Sequence, residues 1–445
     1  MKYALTHCYT DHNKGDAAII ISTVQLIREL DSNAQISMFS TFGPNDDQYK
    51  NEHEFIKPFS DNFFSGMFYQ PRPVFAGSDI SRVIHFLWIT LKFSILLLTR
   101  NRFILRLFFA NVEMRGIDNF LDSDLVISKG GSYITTQNKS IRQSLSLISM
   151  LFPFFLAKRY KKKIYIFSQS LGPVKGKHNQ WLMRRALSGI EKIFLREDLC
   201  IKEYQEIEEL RCISNIEIIP DTAFYMKNDN GLEQHPDLIN LQNFNVGMTL
   251  VDHAFKYISN PSERNKKIET YINSIVDTIK HLIDTKDAYI HIFPQVISAN
   301  SHLGHNDIQI SKKVENIFKD LGLGNRVKYH YFDFNPMQLR DLYGEMNLFI
   351  GTRLHSVIFA LSKNVPSINI AYHGTKSQGI LGAIKGFESY VILIDDIYSD
   401  ALIAKVDELY ADRKSLKNVL KVENTLIKKQ LSNAMLSILA SCKDN

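Results

Sequence analysis

Four cysteines are all that this chain of 445 residues contains, and Cys8, Cys200, Cys212 and Cys442 stand far apart with no C-x-x-C among them. That scatter argues against a disulfide framework and against a zinc site, and it fits a reducing cytoplasm. No metal-ligand spacing recurs along the chain, so no metal is expected. There is no zinc finger and no aromatic-plus-basic RNA motif, which sets nucleic acid aside as a partner. The N-terminus enters a strand after a single lysine, without a long apolar run, and no signal peptide is expected. Internal repeats and low-complexity segments are absent as well.

What is there is the composition of an ordinary folded protein, 45% hydrophobic and 22% charged, long enough for two domains. The net charge of +6 suits anionic substrates or an anionic membrane surface without demanding nucleic acid. Lys2 to His7 reads as a strand, followed by the loop holding Asn13, Gly15 and Asp16, a helix from about Ala17 to Leu30, and a strand from Gln35 to Ser40. Such alternation predicts a parallel sheet. A strand from Asp124 to Ser128 runs into Gly130-Gly131-Ser132-Tyr133, where two glycines permit close backbone approach to a ligand. Strands at 164–167, 191–195 and 216–219 end in Ser168-Gln169-Ser170-Leu171-Gly172-Pro173, in Arg196-Glu197-Asp198 and in Pro220-Asp221-Thr222. These turns share one carboxyl edge, where an α/β sheet builds its crevice.

The polar, turn-rich stretch 227–242 reads as a linker. A second α/β series follows, with strands at 245–251, 288–293, 327–332 and 391–394, helices at about 262–283, 307–321 and 336–343, and helix from about Ser399 to the end. The expected fold class is α/β, two Rossmann-like domains facing a cleft in the glycosyltransferase-B manner. Residues 1–226 form the first domain, 243–420 the second and 421–445 a C-terminal helix.

The most informative stretch is 351–379. A short strand, Asn347-Leu348-Phe349-Ile350, stops at Gly351-Thr352 and a helix opens, with Leu354, Val357, Ile358 and Leu361 on one apolar face. Thr352 is expected as its N-cap, with Arg353 and His355 in the first turn, where free N–H groups and the macrodipole favour an anion. Tyr372, His373 and Lys376 follow the next strand, 366–371, at the edge where α/β folds place ligands. Basic and aromatic residues packed around one strand–helix–strand mouth point to an anion site with a titratable histidine.

Residues 81–114 alternate Arg82, Lys92, Arg100, Arg102 and Arg106 with Phe, Leu, Ile and Trp88. The longest uncharged run in this insert is far short of the ~20 residues of a spanning helix. Two readings stand. One is an interfacial helix pair on anionic lipid, with Trp88 and Phe93 facing the bilayer at the inner leaflet of the cell membrane; the other is a buried or subunit-contacting hairpin.

Taken together, the motifs resemble the polysaccharide pyruvyl transferase family of bacterial exopolysaccharide synthesis, of the colanic-acid type. The resemblance rests on Asn13-x-Gly15-Asp16, Gly130-Gly131-Ser132, Ser170-x-Gly172-Pro173, Leu195-Arg196-Glu197, Asp221-Thr222-Ala223 and Gly351-Thr352-Arg353-Leu354-His355-Ser356. Tyr372, Lys376-Ser377 and Gly379-Ile380 complete it. It covers nearly the whole chain except about 46–119. Ser168 departs from it, standing where many members carry glycine. The resemblance implies transfer of the pyruvate moiety of phosphoenolpyruvate onto two hydroxyls of a sugar or lipid-linked oligosaccharide, with release of phosphate and no cofactor. The N-terminal domain would be the acceptor side and the C-terminal domain the donor side.

A donor with a carboxylate and a phosphate needs at least two fixed cations, and arginine suits both. Arg353 and Arg196 are the expected pair, with Lys376 as a third cation. His355 is the expected general acid–base, since ketal formation moves protons that histidine can carry near neutral pH. Asp16 and Asp221 either orient sugar hydroxyls, act as base, or cap helices. Asn13, Gly15, Gly130, Gly131, Ser132, Ser170, Thr352, Ser356 and Tyr372 complete the expected binding set. Two other functions remain open: a nucleotide-sugar glycosyltransferase on the same fold, and a non-catalytic protein docking a polysaccharide assembly to membrane. A homo-oligomer is left open too.

Overall fold

The computed structural model describes residues 1–67, 69, 79–201, 213–228, 238–251, 253–297, 307–372 and 376–443. The chain divides into two compact units. One comprises Met1–Asp11, Ile19–Thr222 and Gln430–Asn445, the other His12–Ala18 and Ala223–Lys429. Of the linker stretch 227–242, residues 229–237 lie outside the described residues, as does His373.

In the first unit β1 (Lys2–Cys8), β2 (Gln35–Ser40), β3 (Asn62–Phe64), β4 (Leu125–Ser128), β5 (Lys163–Gln169), β6 (Lys192–Leu195) and β7 (Ile216–Ile218) form one sheet. Its order is β3-β2-β1-β4-β5-β6-β7, with every pair parallel. In the second unit β8 (Phe244–Thr249), β9 (Ala288–Ile292), β10 (Val327–Tyr329), β11 (Leu348–Gly351), β12 (Ser367–Ala371) and β13 (Val391–Leu393) order as β10-β9-β8-β11-β12-β13, again parallel. Each unit thus has the Rossmann strand order, whose reversal lies at β1/β4 in one and β8/β11 in the other. The strands are near-continuous apolar runs because a parallel sheet is covered on both faces; β4 is buried throughout, and in β1 only Lys2 is exposed.

The insert folds as the helices Asp79–Leu98, Arg102–Phe108 and Asn111–Asp122. Ile89, Lys92, Phe93 and Leu96 recur at helical spacing and all are buried. Phe93 meets Phe109 and Phe152 edge-on at 5.5 and 5.2 Å. It is therefore a core residue, against the reading that faced it to lipid, because it lies on the helix face packed on Phe109 and Phe152. Lys92 is buried with it, its Nζ donating to both carboxylate oxygens of Glu113 at 2.6 Å.

The last helix runs unbroken over Ser399–Lys443, with no boundary near 420. Within the second unit Asn424 donates to Leu361 O and Asn364 Oδ1 at 2.8 and 2.9 Å. Within the first, Lys163 donates to Ser441 O and Tyr165 Oη meets Ser441 Oγ, both at 2.5 Å.

Candidate active site

In the second unit the helix Leu354–Ser362 follows β11 directly, at the reversal of strand order. Thr352 does not cap it. Its hydroxyl is drawn inward to Tyr271 Oη at 2.7 Å, its N–H donates to Thr249 O, and it is 1% exposed. The N-cap position falls to Arg353, with no capping side chain. Ser356 also turns inward, bonded to Thr249 Oγ1 at 2.7 Å and donating to Arg353 O at 2.6 Å. These two hydroxyls hold β8, β11 and the helix together.

Arg353 is buried, and its side chain has a partner that the sequence did not announce. Nε donates to Asp307 Oδ2 at 3.1 Å and Nη2 to Oδ1 at 2.6 Å, a two-bond fork onto a carboxylate with no exposure. Asp307 Oδ2 also accepts the N–H groups of Gln295 and Val296, at 3.1 and 2.9 Å. The other edge of the guanidinium is directed differently. Nη1 donates to Tyr372 Oη at 3.2 Å and lies 3.4 Å from His253 Nε2. The His253 ring stands edge-on to Tyr372 at 5.3 Å. Burial opposes the charge on Arg353, but Asp307 and Tyr372 outweigh it and raise its pKa above the usual arginine value. Burial raises the Tyr372 hydroxyl, so it stays protonated.

The segment His12–Ala18 completes this cluster. Asn13 pairs with Val296 in an antiparallel bridge, Ile297 N donates to His12 O, and Lys14 N to Gln295 O. Lys14 is fully buried on Asp333 at 2.6 Å. Asn13 Oδ1 accepts from the N–H groups of Gly15 and Asp16, while Asn13 Nδ2 donates to Asp16 Oδ2 at 2.7 Å. Asn13 therefore caps the helix Lys14–Leu30, and the Asp16 carboxylate holds the Asn13 amide. Gly15 lies against His355: a Cβ there would sit 2.5 Å from the ring Cγ and 2.7 Å from Cβ of the histidine. Contacts thus run in a closed circuit from Arg353 through Asp307, the backbone at 295–296 and the segment 12–15 to His355. His355, Tyr372, Asn13 and Asp16 are half-buried around it, and Lys376, also half-buried, opens the helix Lys376–Gly382.

The remaining expected residues gather in the first unit. Arg196, 4% exposed, donates from Nε to Ser170 Oγ at 2.6 Å and from Nη1 to Asp221 Oδ2 at 2.5 Å. Asp221 is thus the buried partner of an arginine. Ser168 has φ +59°, a left-handed conformation that glycine adopts freely. Its hydroxyl donates to Pro220 O and accepts from Thr222 N at 3.1 and 3.0 Å, bracketing Asp221. Gly130 packs on the β5 backbone so closely that a Cβ would sit 2.7 Å from Phe167 O. Gly131 bridges to Gln169 and its carbonyl accepts Ser170 N, while the Ser132 hydroxyl is buried without a hydrogen-bond partner among the described residues.

The structure therefore gathers the expected residues into two clusters. Asn13, Gly15, Asp16, Thr352, Arg353, His355, Ser356, Tyr372 and Lys376 belong to the second unit, and Gly130, Gly131, Ser132, Ser170, Arg196 and Asp221 to the first. Sequence reasoning missed Asp307, His253 and Gln295 in the second and His7 in the first. His7, at φ +66°, stacks on Tyr133 at 4.5 Å and reaches Ser128 Oγ at 3.1 Å. Asp307 gave a misleading signal: an aspartate before an apolar-periodic helix reads as a cap, yet its side chain makes no capping bond.

Known proteins resemble the chain in sequence and in fold. It is 24% identical over 305 residues to the amylovoran biosynthesis protein AmsJ of Erwinia amylovora, covering 65% of this chain and 66% of that relative. A glycosyltransferase from Rickettsia africae superposes with a TM-score of 0.54 at 11% identity, over 100% of this chain and 99% of its own. The UDP-GlcNAc 2-epimerase of Neisseria meningitidis also gives 0.54, at 9% identity over 99% and 100%. Such low identities establish the fold alone, the doubly Rossmann-like architecture of glycosyltransferase-B enzymes and these epimerases. A sequence profile described as polysaccharide pyruvyl transferase matches residues 13–374, and on that match the chain belongs to the polysaccharide pyruvyl transferase family.

Proposed function

We propose that the chain moves the pyruvate moiety of phosphoenolpyruvate onto two hydroxyls of a sugar in a bacterial surface polysaccharide or its lipid-linked precursor. The observation that carries this reading is the cluster at the β8/β11 reversal, where one edge of a buried arginine is fixed by Asp307 and the other is directed toward Tyr372 and His253 beside a half-buried His355. In the reaction the donor methylene carbon takes a proton while one sugar hydroxyl adds to the neighbouring carbon and loses its own. The C–O bond to phosphate then breaks, phosphate leaves with that electron pair, and the second hydroxyl adds and gives up its proton. A pyruvate ketal and inorganic phosphate result, with no metal or cofactor in the sequence of steps. Arg353 holds a donor oxyanion through its Nη1 edge, Lys376 adds a second cation, and His355 carries the proton. The acceptor hydroxyls fall to the polar turns of the first unit, Gly130–Ser132 and Ser170. The protein acts in the cytoplasm, where phosphoenolpyruvate is made.

The test is incubation with phosphoenolpyruvate and a panel of lipid-linked or nitrophenyl glycosides, read by mass for gain of one pyruvate and by phosphate release. Arg353→Lys keeps the charge and loses the fork, so it weakens donor binding by roughly 1–3 kcal/mol. His355→Ala leaves donor binding near the parent and lowers turnover by about 10²–10⁴. Near-normal turnover in that variant would remove histidine from the mechanism. The fold likeness keeps a nucleotide-sugar glycosyltransferase as the second reading, and turnover with a nucleotide sugar but not with phosphoenolpyruvate would establish it instead.

A further inference from the structure

The helices Asp79–Leu98 and Arg102–Phe108 present an apolar surface that the proposed reaction does not use. Ile84, Leu87, Trp88 and Leu91 lie on one face of the first helix, turned away from the face that Phe93 buries, and are 62, 60, 45 and 51% exposed. Phe103 and Leu107 on the second are 74 and 67% exposed. Trp88 contacts Phe108 at 5.9 Å, so the two stripes are continuous. Apolar side chains this large and this exposed, gathered on one surface, mark a contact surface.

We propose that this face docks onto an anionic lipid membrane, lying in the plane of its surface. The charge around the stripe selects that occupant. Arg100, Arg102 and Arg106 are exposed at its end, and Arg159 donates to the Leu97 and Leu98 carbonyls where the first helix stops. Arg102 is paired at the surface with Asp118 at 2.8 Å, and Arg100 lies over the Tyr160 ring at 4.5 Å with its charge retained. Glu113, the acidic residue within 81–114, is turned inward on Lys92 and offers no outward negative charge. An apolar stripe rimmed by arginine matches an acyl boundary beneath anionic headgroups. A second copy of the chain in a two-fold contact would set these arginines against each other. The helix does not cross: one face is built into the core, and no described helix is long and apolar enough to span.

Flotation of the full chain with phosphatidylcholine vesicles, with and without one third phosphatidylglycerol, tests this without any substrate, so it stands apart from the reaction. Trp88 and Trp181 are the two tryptophans, and Trp181→Phe leaves Trp88 as the reporter. The chain is expected to float with anionic vesicles alone, with a blue shift of Trp88 emission that fades as salt is raised. Arg106→Glu is expected to weaken partition at least about tenfold, since each charge at the surface is worth about fivefold. Leu87→Ser with Leu91→Ser is expected to abolish it while far-ultraviolet circular dichroism stays unchanged, because both side chains are exposed. No flotation, equal flotation with both vesicles, or a concentration-dependent dimer that the double serine variant dissolves would overturn the proposal.

Discussion

Asp307→Asn is the sharpest test of how the second unit's cluster is held together. The carboxylate accepts four hydrogen bonds, three at Oδ2 and one at Oδ1. An asparagine placed with its carbonyl at the Oδ2 position keeps three of them, but its amide nitrogen then faces Arg353 Nη2, donor against donor. The guanidinium loses its only described carboxylate partner while remaining buried. Removing one partner of a buried pair costs roughly 3–5 kcal/mol, and the retained carbonyl bonds place this variant at the lower end. Two units make urea melts a poor two-state measure. The appropriate readout is hydrogen exchange at amides of β8, β11 and β12, whose opening free energy should fall by about 3 kcal/mol. Arg353→Met and the double variant complete a cycle, and the double should be destabilised by less than the sum of the singles by at least about 1 kcal/mol. A loss below about 1 kcal/mol for Asp307→Asn, or strict additivity, would refute the idea that the pair organises this cluster.

Gly15→Ala should drive the new methyl into the His355 ring and lower turnover by at least about tenfold with little change in melting temperature, because the half-buried ring can move aside; unchanged turnover would show that its position there is immaterial. Ser168→Ala keeps the left-handed strain and loses two hydrogen bonds, so it should destabilise by about 2 kcal/mol, whereas Ser168→Gly also relieves the strain and should be at least about 1 kcal/mol more stable than the alanine variant, read by hydrogen exchange at amides of β5 and β6. Burial lowers the pKa of His7 to about 3, of His330 to about 3 and of His291 to about 4. An unfolded chain takes up those protons below about pH 6.5 and the native chain does not, so stability should fall on acidification from pH 6.5 toward 4, by at most about 1.4 kcal/mol per pH unit for each proton excluded, and the slope should shrink in His7→Gln.

The sheets were legible because buried parallel strands are short apolar runs ending in glycine or polar turns, and that signal is local. β3 was missed: its three residues, Asn62-Phe63-Phe64, are too few to show a period. The insert was legible as helical but not by face, since apolar residues cover both sides of the helix Asp79–Leu98 and only packing tells Phe93 from Trp88. Arg353 was legible from the strand–helix junction and Asp307 was not, because 46 residues separate them and an aspartate opening a helix has a sufficient local explanation. Asn13–Asp16 was read with the strand it follows, whereas it pairs with Val296, reaches Asp333 and lies against His355. Pairings of that kind belong to topology.

On the proposed reading Asp307 also decides how the donor is recognised. A lone arginine at this mouth would attract phosphoenolpyruvate and the released phosphate alike, by charge, and grip of that kind binds substrate and product without favouring the transition state. Pairing with Asp307 cancels the formal charge of Arg353 while fixing the plane of its guanidinium, so recognition passes from charge to direction, through the Nη1 edge aimed toward Tyr372 and His253. The consequence is a divergence between binding and turnover. Asp307→Asn leaves an uncompensated positive charge at the site, which at a separation of about 6 Å and an effective dielectric near 20 favours an added anion by about 1–3 kcal/mol. Inorganic phosphate should therefore inhibit this variant at roughly tenfold lower concentration, while turnover falls because the fork is no longer held. Steady-state inhibition by phosphate reads both quantities in one experiment. If phosphate affinity and turnover fell together, Asp307 would act through the fold alone, and the directional account of donor binding would be wrong.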